Sequence, residues 1–359
     1  MDLRFSQEEE RFRQEVREFL ARELPPDWVG FRGLEERGES AEEWAFFKQM
    51  AKKLGQKGWL SLSWPREFGG GGVSPMMEMV FEEEMYYHRA PGRDIFGTGM
   101  LAPTLIHYGT REQQARHLTG VARGGVFWCQ GFSEPGAGSD LASLSTRAVE
   151  DGDDFVINGQ KIWTSYGHRA DWMFFLARTD PNVPKHKGIS YFLMPMKTPG
   201  LEVRPIVNMA SVHSFNETFF TDVRVPKKNL IGEKNQGWYV AMASLNFERS
   251  GAECPGQSRR LVEELAEYAR EMQVERVVAL PIRNAQGMTH AVLLLAFSTA
   301  TSADPELNQL ELSLELIEPR LSDLRLRSLS PRRRLARHLH TLSETLFGPE
   351  HGTFKLMTM

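Results

Sequence analysis

The chain has 359 residues, 41% hydrophobic and 25% charged, with a formal net charge of -4 at pH 7. That length suits two or three domains with a sizeable buried core, and the composition excludes disordered and collagen-like chains. The slight acidity offers no general attraction to nucleic acid or to anionic membranes, and two cysteines, Cys129 and Cys254, give no disulfide framework and argue against a zinc site.

The first residues, MDLRFSQEEERFRQEVREFLARE, are charged from the second position and lack the apolar centre of a signal peptide. The longest apolar run, HAVLLLAF, is strand-sized and far short of the roughly 18 residues that cross a bilayer. The expectation is a soluble, cytoplasmic protein of a reducing compartment.

Residues 1–125 are expected to be helical. Phe5, Phe12, Val16, Phe19 and Leu20 recur at helical spacing, and Ser6 with Glu9 resembles a capping box. A second amphipathic run, AEEWAFFKQMAKKLGQKGW, ends on glycine, and SWPREFGGGGVSP breaks any regular element before MMEMVFEEEMYYH and MLAPTLIHYG resume the helical pattern. Residues 126–233 predict strands. Asn158-Gly159 within FVINGQKIW reads as a hairpin turn, and WMFFLART, GISYFLMPM and TFFTDVRVP are β-rich runs between Gly, Pro, Asp and Asn clusters. Helical pattern returns over 234–273. From 274 to 359, VERVVALPIRNAQGMTHAVLLLAF predicts two strands around an Asn-Ala-Gln-Gly turn, followed by helices over 305–328 and 332–347.

The stretch SEPGAGSDLAS, Ser133 to Ser143, has a chemical reading beside the plain one of a surface turn. Glycine lets a backbone approach a ligand closely, while serine hydroxyls and free N–H groups bind a polar edge. Helical domain, β domain, helical domain, carrying GWLSLSWPREFGGGG, APTLIHYGTREQQARHL, WCQGFSEPGAGSD, INGQKIWTSYGHRADWMFFLART and FNETFFTDVRVPKKNLIGEKNQGWYVAMASLNFERSG, resembles the acyl-CoA dehydrogenases over about residues 3–272. The flavour is that of the bacterial branch acting on bulky or long acyl chains.

The resemblance implies an α+β fold: a helical N-terminal domain, a middle β-barrel or sandwich domain, and a helical third domain. It also implies FAD as cofactor, an acyl-CoA substrate, an oligomeric assembly (homo- or hetero-oligomer) and an electron-transfer flavoprotein as electron acceptor. Removing hydrogen across Cα–Cβ of a thioester needs a base for the α-proton and a hydride acceptor, which no side chain can be. By resemblance, Gln130, Phe132, Ser133 and Ser139 belong to the loop that wraps the flavin, with Ser139 also near the thioester. Trp163 would pack on the ring system, with Thr164 and Ser165 bonding its neighbourhood; a strand tryptophan is otherwise most often core. Glu248 in NFERSG fits one of the family's two positions for the catalytic carboxylate, the alternative being a surface glutamate paired with a nearby arginine. Arg249 would lie near the thioester or the phosphoadenosine tail.

Past Gln273 the family's remaining helices and its Arg-x-x-Phe-Gly motif are missing from the sequence. The segment resembles instead the second half of a GAF domain, a small sensory α/β fold, so the third helical domain reads as truncated. The arginines Arg325, Arg327, Arg332, Arg333, Arg334 and Arg337 read as a solvated helix or as a contact for an anionic partner. Besides a dehydrogenase, two functions remain open on the sequence: a regulatory scaffold poor in flavin, and a flavin oxidase or monooxygenase of the same fold.

Overall fold

Ser6 opens the first helix as its N-cap, accepting from the Glu9 N–H while the Glu9 carboxylate accepts from the Ser6 N–H. The same reciprocal cap starts helices at Ser40 with Glu43 and at Thr110 with Gln113, satisfying N–H groups that a helix end leaves unpaired. The computed structural model describes residues 5–28, 30, 40–208, 212–248, 253–271, 274–283 and 289–298. The chain divides into two compact units, Met1–Arg259 and Arg260–Met359.

In the first unit, α1 (Gln7–Glu23), α2 (Ala41–Gln56), α3 (Pro75–Tyr87), α4 (Ala102–Tyr108) and α5 (Arg111–Ala122) form the helical part, with a π-helical turn over Ile95–Leu101 leading into α4. The periodic residues Phe12, Val16, Phe19 and Leu20 of α1 are buried against Met50 and Leu54 of α2, Val80 and Phe81 of α3, and Trp59. Arg13 and Arg17 of α1 donate to the fully buried Glu84 of α3. Burial alone would raise the Glu84 pKa, but hydrogen bonds from His88, Arg17 and Arg13 hold it well below the ordinary carboxylate range.

The β domain is a single hydrogen-bonded sheet built from β1 (Trp128–Gly131), β2 (Arg147–Asp151), β3 (Asp154–Lys161), β4 (Trp172–Arg178), β5 (Ile189–Pro195), β6 (Leu201–Val207), β7 (His213–Pro226) and β8 (Leu230–Ile231). Its order is β6-β7-β3-β2-β4-β5-β8, with β1 added parallel to β4. Strands β4 and β5 are buried along nearly their whole length, which is why WMFFLAR and ISYFLMP are continuous apolar runs, whereas edge strand β6 has no fully buried residue. α6 (Gly237–Glu248) follows the sheet, and α7 (Glu253–Glu271) runs across the division between the units.

One expected turn is corrected. Asn158-Gly159 lies inside β3, not at a hairpin, and the pairing with β7 shifts register between Ile157 and Gly159 as a bulge. A fourteen-residue partner strand overrides the local turn preference. Gly159 is required there because its φ is +150° and a Cβ would lie 2.5 Å from Thr146 Oγ1. The Asn158 amide is used across the strands, exchanging hydrogen bonds with Asp222. The tight connection falls seven residues earlier, at Gly152 (φ +60°) between β2 and β3.

In the second unit, β9 (Val274–Arg283) and β10 (Thr289–Ser298) pair antiparallel, with Leu293 opposite Leu280. These are the two strands that the alternation predicts. The intervening Asn-Ala-Gln-Gly turn, the helices expected over 305–328 and 332–347, and the arginines from Arg325 to Arg337 lie outside the described residues.

Candidate active site

β1 carries the chain into the Gln130–Ser139 loop, with Gln130 opposite Phe174 of β4. Phe132 is buried edge-on against Phe174 and Tyr191, which fixes the start of the loop. Ser133 is half-buried, and its carbonyl accepts from the Ile162 N–H at 2.9 Å, tying the loop to the segment after β3. Glu134 and Ala137 exchange backbone hydrogen bonds across Pro135-Gly136, so the chain turns tightly and presents Pro135, Gly136, Gly138 and Ser139 to solvent.

Beneath this turn lies an ion pair that sequence pattern did not bring to notice. Lys161 is 0% exposed and donates to the Phe132 carbonyl at 3.0 Å and to Glu134 Oε1 at 2.8 Å. Glu134, 6% exposed, also accepts from the Ser145 N–H and hydroxyl and from the Thr146 N–H. Burial works against its charge, but Lys161 and these donors outweigh it and bring the Glu134 pKa down to about 2.

The opposite wall starts where β3 ends. Trp163 has φ +61°, a left-handed backbone that costs a non-glycine residue about 1–3 kcal/mol, and Tyr166 repeats it at +57°. The indole of Trp163 is 56% exposed, touching Phe215 edge-on, so it is not the core tryptophan that a strand position suggests. Thr164 is fully buried with its hydroxyl 3.5 Å from that of Thr218, while Ser165 is half-buried.

A third element braces the loop's approach. The Asp94 carboxylate caps the π-helical turn at the Phe96 N–H and accepts from the Trp128 N–H of β1 at 2.9 Å. Its burial outweighs these backbone donors, and Asp171 nearby adds to the effect, so its pKa rises to about 7. The same turn brings Met100 Sδ to 3.9 Å from Gln130 Nε2.

The geometry fits a flat ligand with one polar edge. An exposed aromatic face is held out in a strained conformation, and a Cβ placed on Gly136 or Gly138 would meet nothing within 4 Å. Neither the Ser133 nor the Ser165 hydroxyl is hydrogen-bonded among the described residues. A flavin matches this combination: ring faces to stack, and a uracil-like edge to bond. The Ile162–Ser133 hydrogen bond brings loop and wall together. Glu248 is the final residue of α6, and Arg249 lies outside the described residues. Lys161, Glu134, Asp94 and Asn216, described below, escape a sequence reading; the signal for Lys161 was a lone charge closing an otherwise strand-like run.

The model of the acyl-CoA dehydrogenase N-terminal domain matches residues 6–125, and that of the acyl-CoA dehydrogenase middle domain matches 129–223. Acyl-CoA dehydrogenase IpdE1 of Mycobacterium tuberculosis is 39% identical over 307 residues, covering 84% of this chain and 80% of that protein. The solved Tcur3481-Tcur3483 steroid ACAD is 38% identical with a TM-score of 0.69, covering 76% of this chain and 69% of its own. The ChsE4-ChsE5 complex from Mycobacterium tuberculosis is 30% identical with a TM-score of 0.66, over 98% of this chain and 79% of that chain.

Proposed function

This chain belongs to the acyl-CoA dehydrogenase family, whose members are FAD-dependent, and on that premise we propose that it desaturates an acyl-CoA thioester between Cα and Cβ. The observation that carries the reading is the exposed, left-handed Trp163 facing outward beside the glycine turn of the Gln130–Ser139 loop. Bound FAD supplies the acceptor for the hydride that leaves Cβ. Trp163 offers the ring a stacking face, Ser133 and Ser165 offer hydroxyls to its polar atoms, and Gly136 and Gly138 let the backbone approach. Ser139 and Arg249 orient the thioester and its phosphoadenosine tail. Thr164 acts from beneath, since its side chain is buried against Thr218.

Glu248 takes the α-proton as the Cα–Cβ double bond forms. A carboxylate enclosed between an acyl chain and a flavin has its pKa raised, which suits it to accept a proton near neutral pH. A bulky, steroid-like acyl group is the substrate class favoured, supported by the likeness to a steroid dehydrogenase. A hetero-oligomer is favoured by the likeness to a chain of a two-component complex, and an electron-transfer flavoprotein is the acceptor proposed. Residues 274–359 are assigned as a GAF-like α/β fragment, supported by the β9–β10 pair.

Glu248→Gln tests the mechanism. The variant keeps size and hydrogen bonding but cannot take a proton, so flavin content should match the parent while anaerobic bleaching by acyl-CoA slows about 10²–10⁴-fold. Bleaching at the parental rate would place the base elsewhere.

A further inference from the structure

Asn216 of β7 is 0% exposed, and its backbone carbonyl and both polar atoms of its side chain are engaged. Its carbonyl accepts from the Thr164 N–H at 2.9 Å, and its side-chain Nδ2 donates to the Thr164 carbonyl at 2.9 Å. The same Nδ2 lies 3.1 Å from His168 Nδ1, and Oδ1 lies 2.8 Å from His213 Nε2. A carbonyl only accepts, so the Thr164 contact fixes which way the amide faces. Nδ2 then spends its second proton on His168 Nδ1, and Oδ1 receives the His213 Nε2 proton. The two imidazoles stack with centroids 4.0 Å apart, closing the cluster.

Thr164 is gripped at both its N–H and its C=O, and it sits between Trp163 and Tyr166, the two left-handed non-glycine residues of this wall. Relaxing Trp163 to an extended backbone would carry the strand straight on and redirect its indole. The backbone carbonyl of Asn216 holds the Thr164 N–H whatever the side chain, but the strain of a left-handed residue is comparable to one or two hydrogen bonds, so losing the Nδ2 bond to the Thr164 carbonyl is enough to shift the balance.

We propose that Asn216 is a positioning residue: its amide clamp on Thr164 holds Trp163 in the left-handed conformation that presents the indole to a flavin. This rests on the flavin reading of the site, and it goes further by assigning a role to a residue that need not touch cofactor or substrate.

A double-mutant cycle on FAD affinity, measured by titrating the apoprotein with FAD, tests it. Trp163→Ala should weaken FAD binding by roughly tenfold, and Asn216→Ala by a similar factor. In the Trp163→Ala background, Asn216→Ala should cost nothing further, because the clamp acts through an indole that is gone. Equal losses in both backgrounds, or no loss from Asn216→Ala alone, overturn the positioning role. If Trp163→Ala itself leaves FAD affinity unchanged, the flavin reading of the wall fails first, and the proposal falls with it. Asn216→Leu keeps the volume and presents no donor to Thr164 at any pH. Should Asn216→Ala not fold, Asn216→Leu enters the same cycle under the same criteria.

Discussion

The two walls of the site are built to opposite plans. The Gln130–Ser139 loop is short of side-chain bulk, unstrained at its glycines, and tied down by one buried charge pair, Lys161 with Glu134. The Trp163–Ser165 wall carries bulk and backbone strain, and its clamp is a neutral amide. A buried ion pair gains little over an apolar pair while both partners are present, but losing one partner strands a charge. A neutral clamp fails more gently, by the value of its hydrogen bonds. The loop should therefore be the brittle side of the site and the wall the adjustable one.

Removing Lys161 gives the largest expected effect. Lys161→Met leaves the Glu134 carboxylate buried beside the Phe132 carbonyl, and about 3–5 kcal/mol of stability should be lost in urea unfolding. Converting both partners, Lys161→Met with Glu134→Gln, should recover part of that loss, since no unpaired charge remains and the glutamine Oε1 can still accept from Ser145 and Thr146. A single-variant cost below about 1 kcal/mol would show that the pair does not secure the loop and would remove the contrast between the walls.

A pH measurement sharpens the comparison at the loop's approach strand. Asp94 has a folded-state pKa of about 7, above its unfolded value near 3.8, so the fold favours the neutral carboxyl. That contribution is complete below about pH 4 and is lost as pH rises through 7. Glu134 has the opposite sign: its pKa of about 2 gives stability that is present above about pH 4.5 and lost as pH falls through 2. Asp94→Asn cannot titrate. The parent's stability relative to this variant should therefore fall between pH 5 and pH 8, by roughly 2–4 kcal/mol. Parallel profiles across that range would mean that Asp94 is ionised throughout.

The helices and strands were legible because their signals are local. Ser6 with Glu9 caps α1, the α1 periodicity marks its buried face, and the apolar runs at 172–178 and 189–195 are buried strands of the sheet. The glycine loop and the tryptophan wall could be singled out as motifs for the same reason. Asn158-Gly159 misleads because a turn rule knows nothing of β7, which arrives some sixty residues later and pairs on both sides of it through a bulge. Lys161 and Glu134 are 27 positions apart, and Asn216 stands 52 from Thr164, so neither contact leaves a trace in spacing. Left-handed φ at Trp163 and Tyr166 is equally silent, since both residues normally avoid it.

The smallest effect on the fold separates glycines that serve the chain from glycines that serve a ligand. Gly159 belongs to the first kind, with φ +150° and Thr146 in the way of any Cβ. Gly136 and Gly138 belong to the second: neither is left-handed, and nothing lies within 4 Å of a Cβ added at either. Alanine at both should leave apoprotein stability within about 0.5 kcal/mol of the parent, as for any unobstructed surface substitution. Reduced freedom of the unfolded chain favours a slight gain within that range. The open space matters only if a ligand fills it, so FAD affinity should fall in the double alanine variant while its melting temperature does not. A variant that binds FAD as tightly as the parent would show that the flavin does not approach this turn. The polar edge of the site would then have to be supplied by the Trp163–Ser165 wall alone.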